Sequence, residues 1–321
     1  MKDFFTYEQQ IEKLKKDGLI IVDDFQTISE LKLEGYYNII NGYSPIFKNG
    51  SSFIKGTTFD NIKTLYDFDK NLRSIVYKYT SSIECHVKAL IAHEFSRIHG
   101  VDEKKYLSTD SFTKNAKSAD NIARLIDECN QTITDALNKN SNKYREYIEH
   151  NYSKHGHVPM WVLIRAISFG TTSIFFKNMI EAEKCSISKN YNLTPAQLAN
   201  MLEVVVSFRN IVAHGERTFC ARLPKTRLTT DLSVVRKMCL KKNPKGENKF
   251  GRNDFLALLI CCKYLLPPLE FSGFIIELDL AFEKLQEQQN PSMFGKIKIY
   301  MGLQSDSWKL LPKLIINEKP E

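Results

Sequence analysis

Arg209-Asn210-Ile211-Val212-Ala213-His214 is the segment whose residue types and spacing suit catalysis best. The chemistry it suits is RNA cleavage without a metal. A proton has to leave the attacking 2′-hydroxyl and another has to reach the departing 5′-oxygen, and an imidazole, titrating near about 6.5, can carry protons at neutral pH. Charge gathering on the phosphorane has to be met by a fixed cation, and an arginine does so bidentately without losing its own charge. On an ideal helix, residues five apart lie about 140° apart, so Arg209 would reach around the helix to join His214. Asn210, His214 and Arg217 are four and three apart and are expected to form one stripe. In that arrangement Asn210 holds His214 in one tautomer and Arg217 takes the neighbouring phosphate.

Spacing alone is a weak signal. An Arg-x(4–6)-His pair is expected about 0.7 times by chance in a chain of this composition. A second match, Arg145 with His150, does occur, in a polar and acidic setting. The plain alternative for the first match is a basic helix end in which His214 and Arg217 favour the C-terminal dipole. The charge on the C-terminal side of the segment argues for more. Between Arg217 and Arg252 eleven basic residues face only Asp231 and Glu247, a local net charge of +9 against +8 for the whole chain. The excess is therefore local. Arg217, Arg222, Lys225, Arg227, Arg236, Lys237, Lys241, Lys242 and Lys245 are the expected contacts to an RNA backbone. A merely solvated basic loop is the competing account.

Other chemistry-bearing residues point nowhere as clearly. Glu84 and His93 are nine apart and fall on opposite sides of a helix. His86 and His93 share a face, for which a core or supporting role is expected. His155-Gly156-His157 reads as a surface turn. Seven cysteines, from Cys85 to Cys262, include no Cys-x-x-Cys pair, so free thiols in a reducing cytoplasm are expected rather than zinc. There is no phosphate-cradling Gly-rich loop and no nucleophile elbow. No metal and no cofactor is expected.

The elements that must position the segment are helical. Thr194-Pro195-Ala196-Gln197 carries an N-cap, a first-position proline and a capping-box glutamine; the helix it starts runs to His214 and stops at Gly215. Phe59 to Gly100 keeps apolar residues three to four apart, as one or two long helices. Further helices are expected over 1–20 and from Ile28 to Ile40, and residues 41–58 read as a loop and a soft boundary. The expected organisation is an all-α chain: an N-terminal helical region over 1–58, then a helical domain over 59–321 with a basic insertion at 217–252. A hydrophobic content of 43% fits a globular protein. No apolar run approaches the roughly 20 residues of a membrane span.

Many short stretches, in order, resemble the Abi family of bacterial abortive-infection proteins of the AbiD and AbiF type. They include Gln10-Ile11-Glu12-Lys13-Leu14-Lys15 with Gly18-Leu19, Gly35-Tyr36-Tyr37, Gly56-Thr57-Thr58-Phe59, and Leu65-Tyr66-Asp67-Phe68-Asp69-Lys70-Asn71-Leu72-Arg73. Pro159-Met160-Trp161, Ser168-Phe169-Gly170, Phe208-Arg209-Asn210 with His214, and Tyr300-Met301-Gly302-Leu303 with Trp308 continue the series. The resemblance implies a HEPN-type ribonuclease bundle, in which Arg209, Asn210 and His214 fall on the Arg-x(4–6)-His motif and two motifs pair across a homodimer. It also implies phage defence by a toxin, and for some relatives restraint by a structured non-coding RNA. Arg165 stands where relatives often carry Glu. The alternatives are a non-catalytic RNA-binding module working through the basic stretch, and a protein–protein effector that needs neither.

Overall fold

The computed structural model describes residues 4–114, 118–303 and 306–316. It is all-α, apart from a two-stranded antiparallel hairpin, β1 (Lys48–Asn49) and β2 (Ser52–Phe53). The helices are α1 (Tyr7–Lys16), α2 (Asp24–Glu34), α3 (Phe59–His99), α4 (Glu103–Tyr106), α5 (Ala119–Leu137), α6 (Glu146–His155) and α7 (Met160–Leu163). They continue with α8 (Phe169–Asn178), α9 (Glu181–Lys189), α10 (Pro195–Ala213), α11 (Ser233–Lys237), α12 (Phe255–Leu265), α13 (Pro268–Glu287) and α14 (Pro291–Tyr300).

The apolar residues from Phe59 onward form one helix of 41 residues, about 60 Å long at 1.5 Å per residue. Thr58 and Asn61 close a capping box at its start, and Gly100, at φ +78°, ends it. α3 is the axis of the molecule. Leu65, Leu72, Val76, Ile83 and Val87 are buried along it, each worth about 1.5–3 kcal/mol of burial. α10 and α13 pack on it most extensively, α7 packs on it too, and α9 meets its C-terminal end, where Glu183 lies beside His99. α13 is keyed to α3 by Glu270, which accepts from Ser82 Oγ, and by Glu277, which accepts from Lys78 and Tyr79. α12 is apolar around nearly its whole circumference, and all of its residues but Lys263 are buried, as a helix enclosed by others must be.

The N-terminal helices are shorter than their periodicity suggests. α1 starts at a capping box of Thr6 and Gln9 and ends before Gly18. The helix expected over Ile28–Ile40 is broken by Gly35, at φ +85°; α2 stops at Glu34 and a π-helical turn covers Tyr37–Asn41. Residues 41–58 are more ordered than a loop: a 3-10 turn spans Ser44–Phe47, the hairpin comes next, and Ile20 pairs with Thr58. Ile11, Leu14, Ile39, Ile40 and Phe47 join the same buried cluster as α3 and α10.

Candidate active site

α10 is capped as its sequence requires. Thr194 Oγ1 accepts from the Gln197 amide at 3.2 Å, and Gln197 Oε1 accepts from the Thr194 amide at 3.0 Å. Leu198, Met201, Leu202, Val205 and Phe208 bury one side of the helix. Its last helical residue is Ala213. His214 is the C-cap, and its N–H donates to the Asn210 carbonyl at 3.0 Å. Gly215 then turns to φ +69°, the Glu216 N–H reaches back to the Ile211 carbonyl and the Gly215 N–H to the Val212 carbonyl. This is a Schellman closure, and it leaves the exposed His214 at the corner where helix becomes loop.

The loop after that corner is fastened by Asp69, a fully buried carboxylate on α3. Asp69 accepts from the Phe219 amide at 2.7 Å, the Thr218 amide at 3.1 Å, Tyr43 Oη at 2.7 Å and Arg73 Nη1 at 2.8 Å. Burial, then the Asp69 charge, pushes the Tyr43 phenol up, so its O–H remains a donor. Arg217 Nη1 donates to the Gly42 carbonyl at 2.7 Å. These ties draw the segment around Tyr37–Tyr43 against the 214–222 loop and leave a cavity of about 750 Å³ between them. His214, Arg217, Arg222 and Arg73 line it, with Glu216 and the N-terminal Tyr37, Asn38 and Asn41.

Arg209 goes elsewhere. Its Nε lies 3.4 Å from Glu84 Oε2, an ion pair outside hydrogen-bond geometry, and its guanidinium carbon lies 5.9 Å from the Tyr77 ring centroid. Glu84 also holds Lys88 at 2.7 Å, and Lys88 donates to the Ile167 carbonyl. Neither Nη of Arg209 has a hydrogen-bond partner among the described residues. Tyr77 lies one turn from Arg73 on α3, so the Arg209 pocket and the His214 cavity adjoin. Arg209 and His214 are five positions apart along the chain, about 7.5 Å of helical rise. Arg209 does not line the His214 cavity: the expected reach around the helix is not made, because the offset of about 140° turns the side chain toward Glu84 instead.

The expected stripe is only partly present. Asn210 is exposed, its bond to His214 is a backbone one, and its side chain has no hydrogen-bond partner among the described residues. Arg217 lies beyond the helix and reaches the cavity through the loop instead. The basic run divides in two. Arg217 and Arg222 face the first cavity, while Arg236, Lys242 and Lys245 line a second of about 490 Å³ with Arg252 and Glu247. Lys237 donates to the Ile315 carbonyl, Arg236 pairs with Asp231, and Lys225, Arg227 and Lys241 are exposed. His86 and His93 are not core residues: their side chains are 38% and 73% exposed, because the face they share turns away from the packed side of α3. The histidine of α3 that is packed is His99, 2.8 Å from the buried Glu183. His150 is exposed on α6, away from both cavities' linings.

Sequence reasoning missed Asp69, Tyr43, Arg73 and the Glu84–Arg209 pair. Asp69 and Arg73 had a usable signal, an acid and a base four apart on a helix. A family model described as Abi-like protein matches residues 30–220, more than half of the 321. The chain belongs to the Abi-like family. The matched span begins in α2 and closes just past the loop that Asp69 fastens, so it takes in His214, Arg217, Arg209 and both walls of the first cavity apart from Ala221 and Arg222. The second basic cavity lies outside it. No curated protein and no solved structure matches this Abi-like chain. No helix among the described residues is long and apolar enough to cross a membrane.

Proposed function

We propose that this Abi-like protein is a metal-independent endoribonuclease of HEPN type, acting in abortive-infection defence. The observation that carries the reading is the His214 corner: an exposed imidazole in a cavity with Arg217, Arg222 and Arg73, one step along α10 from an arginine whose Nη donors are uncommitted. The 2′-oxygen attacks phosphorus as its proton passes to a base. The P–O5′ bond breaks as an acid gives the 5′-oxygen a proton, leaving a 2′,3′-cyclic phosphate and a 5′-hydroxyl. Arg209 meets the phosphorane charge and Arg217 the flanking phosphate; Asn210 acts on His214 through the backbone, its carbonyl accepting from the His214 N–H at the helix end.

Base and acid are two groups, and one chain brings one histidine to the cavity. A homodimer with a two-fold axis supplies the second. Leu269, Ile276 and Leu280 recur at helical spacing on α13 and are 88%, 60% and 53% exposed, an apolar stripe that such a pairing would cover. The site of action is the cytoplasm, with RNA as substrate.

The test is purified protein with total RNA, with and without EDTA. Cleavage that survives EDTA, ends in cyclic phosphate and disappears in Arg209→Ala and His214→Ala supports the reading. Wild-type cleavage by either variant overturns it. A second reading, a non-catalytic module that grips a structured RNA, is favoured by the second basic cavity. It expects salt-sensitive binding without product, lost on replacing Lys242 and Lys245.

A further inference from the structure

The wall of the first cavity opposite His214 is built by the N-terminal segment, and its side chains are unlike those of a packed wall. Tyr37 is 75% exposed at the start of the π-helical turn, although a tyrosine in a globular fold ordinarily covers most of its ring. Asn41 ends the same turn, and its side chain has no hydrogen-bond partner among the described residues. Asn38, by contrast, has spent its amide nitrogen on the Glu34 carbonyl. π-helical turns are uncommon and occur often at functional sites. Here the turn sets an open ring and a free amide on the rim of a cavity whose other wall carries Arg217, Arg222 and His214.

Resting on the ribonuclease reading, we infer that this cavity takes one unpaired nucleotide of an RNA chain. Its base stacks on Tyr37, Asn41 bonds the base edge, and the flanking phosphates lie on Arg217 and Arg222. An amide side chain offers one acceptor and two donors, the complement of a base edge. In an A-form duplex the bases are stacked and paired and the major groove is too deep and narrow for side chains to read, whereas an unpaired base can swing onto an aromatic ring. A volume of about 750 Å³ suits a single small ligand. Glu216 is the acidic group on the lining, and it keeps phosphate toward the arginines.

The experiment uses the full chain with a His214→Ala change, so that the RNA stays intact. A short single-stranded RNA carries 2-aminopurine, whose fluorescence is quenched on stacking. Saturable quenching is expected, weakened about five- to a hundredfold by Tyr37→Ala and retained in Tyr37→Phe, with a smaller loss in Asn41→Ala. Tyr37 is surface-exposed, so these variants keep the core. The same probe in duplex RNA and as a free mononucleotide should bind more weakly. Equal binding by Tyr37→Ala, by the duplex or by the mononucleotide overturns the inference. Tyr37-dependent quenching in a protein that never cuts RNA would sustain this subsite and refute the ribonuclease. Cleavage with KM and quenching unchanged in Tyr37→Ala would do the reverse.

Discussion

Replacing Asp69 with asparagine tests whether one buried carboxylate holds the two walls of the site together. Four groups donate to it, two of them backbone amides of the loop after His214. Asparagine keeps one oxygen and turns an NH₂ toward a set of donors of which only the Tyr43 hydroxyl can also accept; the Thr218 and Phe219 amides and the Arg73 guanidinium cannot. It also leaves Arg73, only 14% exposed, without its counter-charge. Breaking a buried pair from one side costs about 3–5 kcal/mol, a large share of a total stability of about 5–15 kcal/mol. At about 2 °C per kcal/mol for a chain of this size, thermal unfolding followed by circular dichroism should drop by roughly 6–10 °C. RNA cleavage at a temperature where the variant is still folded should fall as well, because the Thr218–Phe219 amides lose their anchor and Arg217 its position. Asp69→Leu combined with Arg73→Met should regain part of the stability, the charge having gone from both sides, but none of the activity. A melting point for Asp69→Asn within about 1 °C of wild type would refute the reasoning.

Glu84→Gln keeps the shape but removes the charge that holds Arg209 and Lys88. Cleavage should fall roughly ten- to a hundredfold by misplacing the arginine, and an unchanged kcat would show that Arg209 needs no such strut. Glu183 is fully buried beside His99, and burial pushes its carboxyl up from 4.5 to about 7. The folded protein thus holds a proton that the unfolded chain releases. The stability from this group is full below about pH 4.5 and is lost as pH rises through about 7. Glu183→Gln should therefore gain in Tm relative to wild type as pH rises across that window, and a constant difference between the two would contradict it. A methyl group at Gly302, at φ +81°, would lie 2.6 Å from the carboxylate of Asp254, which caps α12. Gly302→Ala should cost about 1–3 kcal/mol in chemical denaturation, whereas Gly295→Ala, which meets nothing, should be neutral or stabilising.

What the sequence disclosed was local. Thr194 to Gln197 and His214-Gly215 bracket α10 because capping is decided within a few residues. The spacing of Leu65, Leu72, Val76 and Ile83 makes α3 a helix whatever packs on it. The contacts that turn these helices into a site span long stretches of chain: Asp69 meets Thr218 at a separation of 149 residues, and Arg217 meets Gly42 at 175. No spacing rule reaches that far. His93 was misjudged because periodicity groups residues on a face without saying which face is packed. The basic run looked uniform because a charge count is blind to the turn of chain that sends Arg222 to one cavity and Lys242 to another. Arg209 and His214 were legible as types, and the lining that joins Tyr37 to His214 was not.

The Asp69 clasp also sets an order in time. The carboxylate leaves the ribosome long before its two amide partners, and at about 5–20 residues per second those 149 residues take roughly 7–30 s to emerge. A nascent chain halted after residue 214 already carries Arg209 and His214 yet has no loop to close the cavity. Interrupted translation therefore releases fragments with the motif but without the chamber around it.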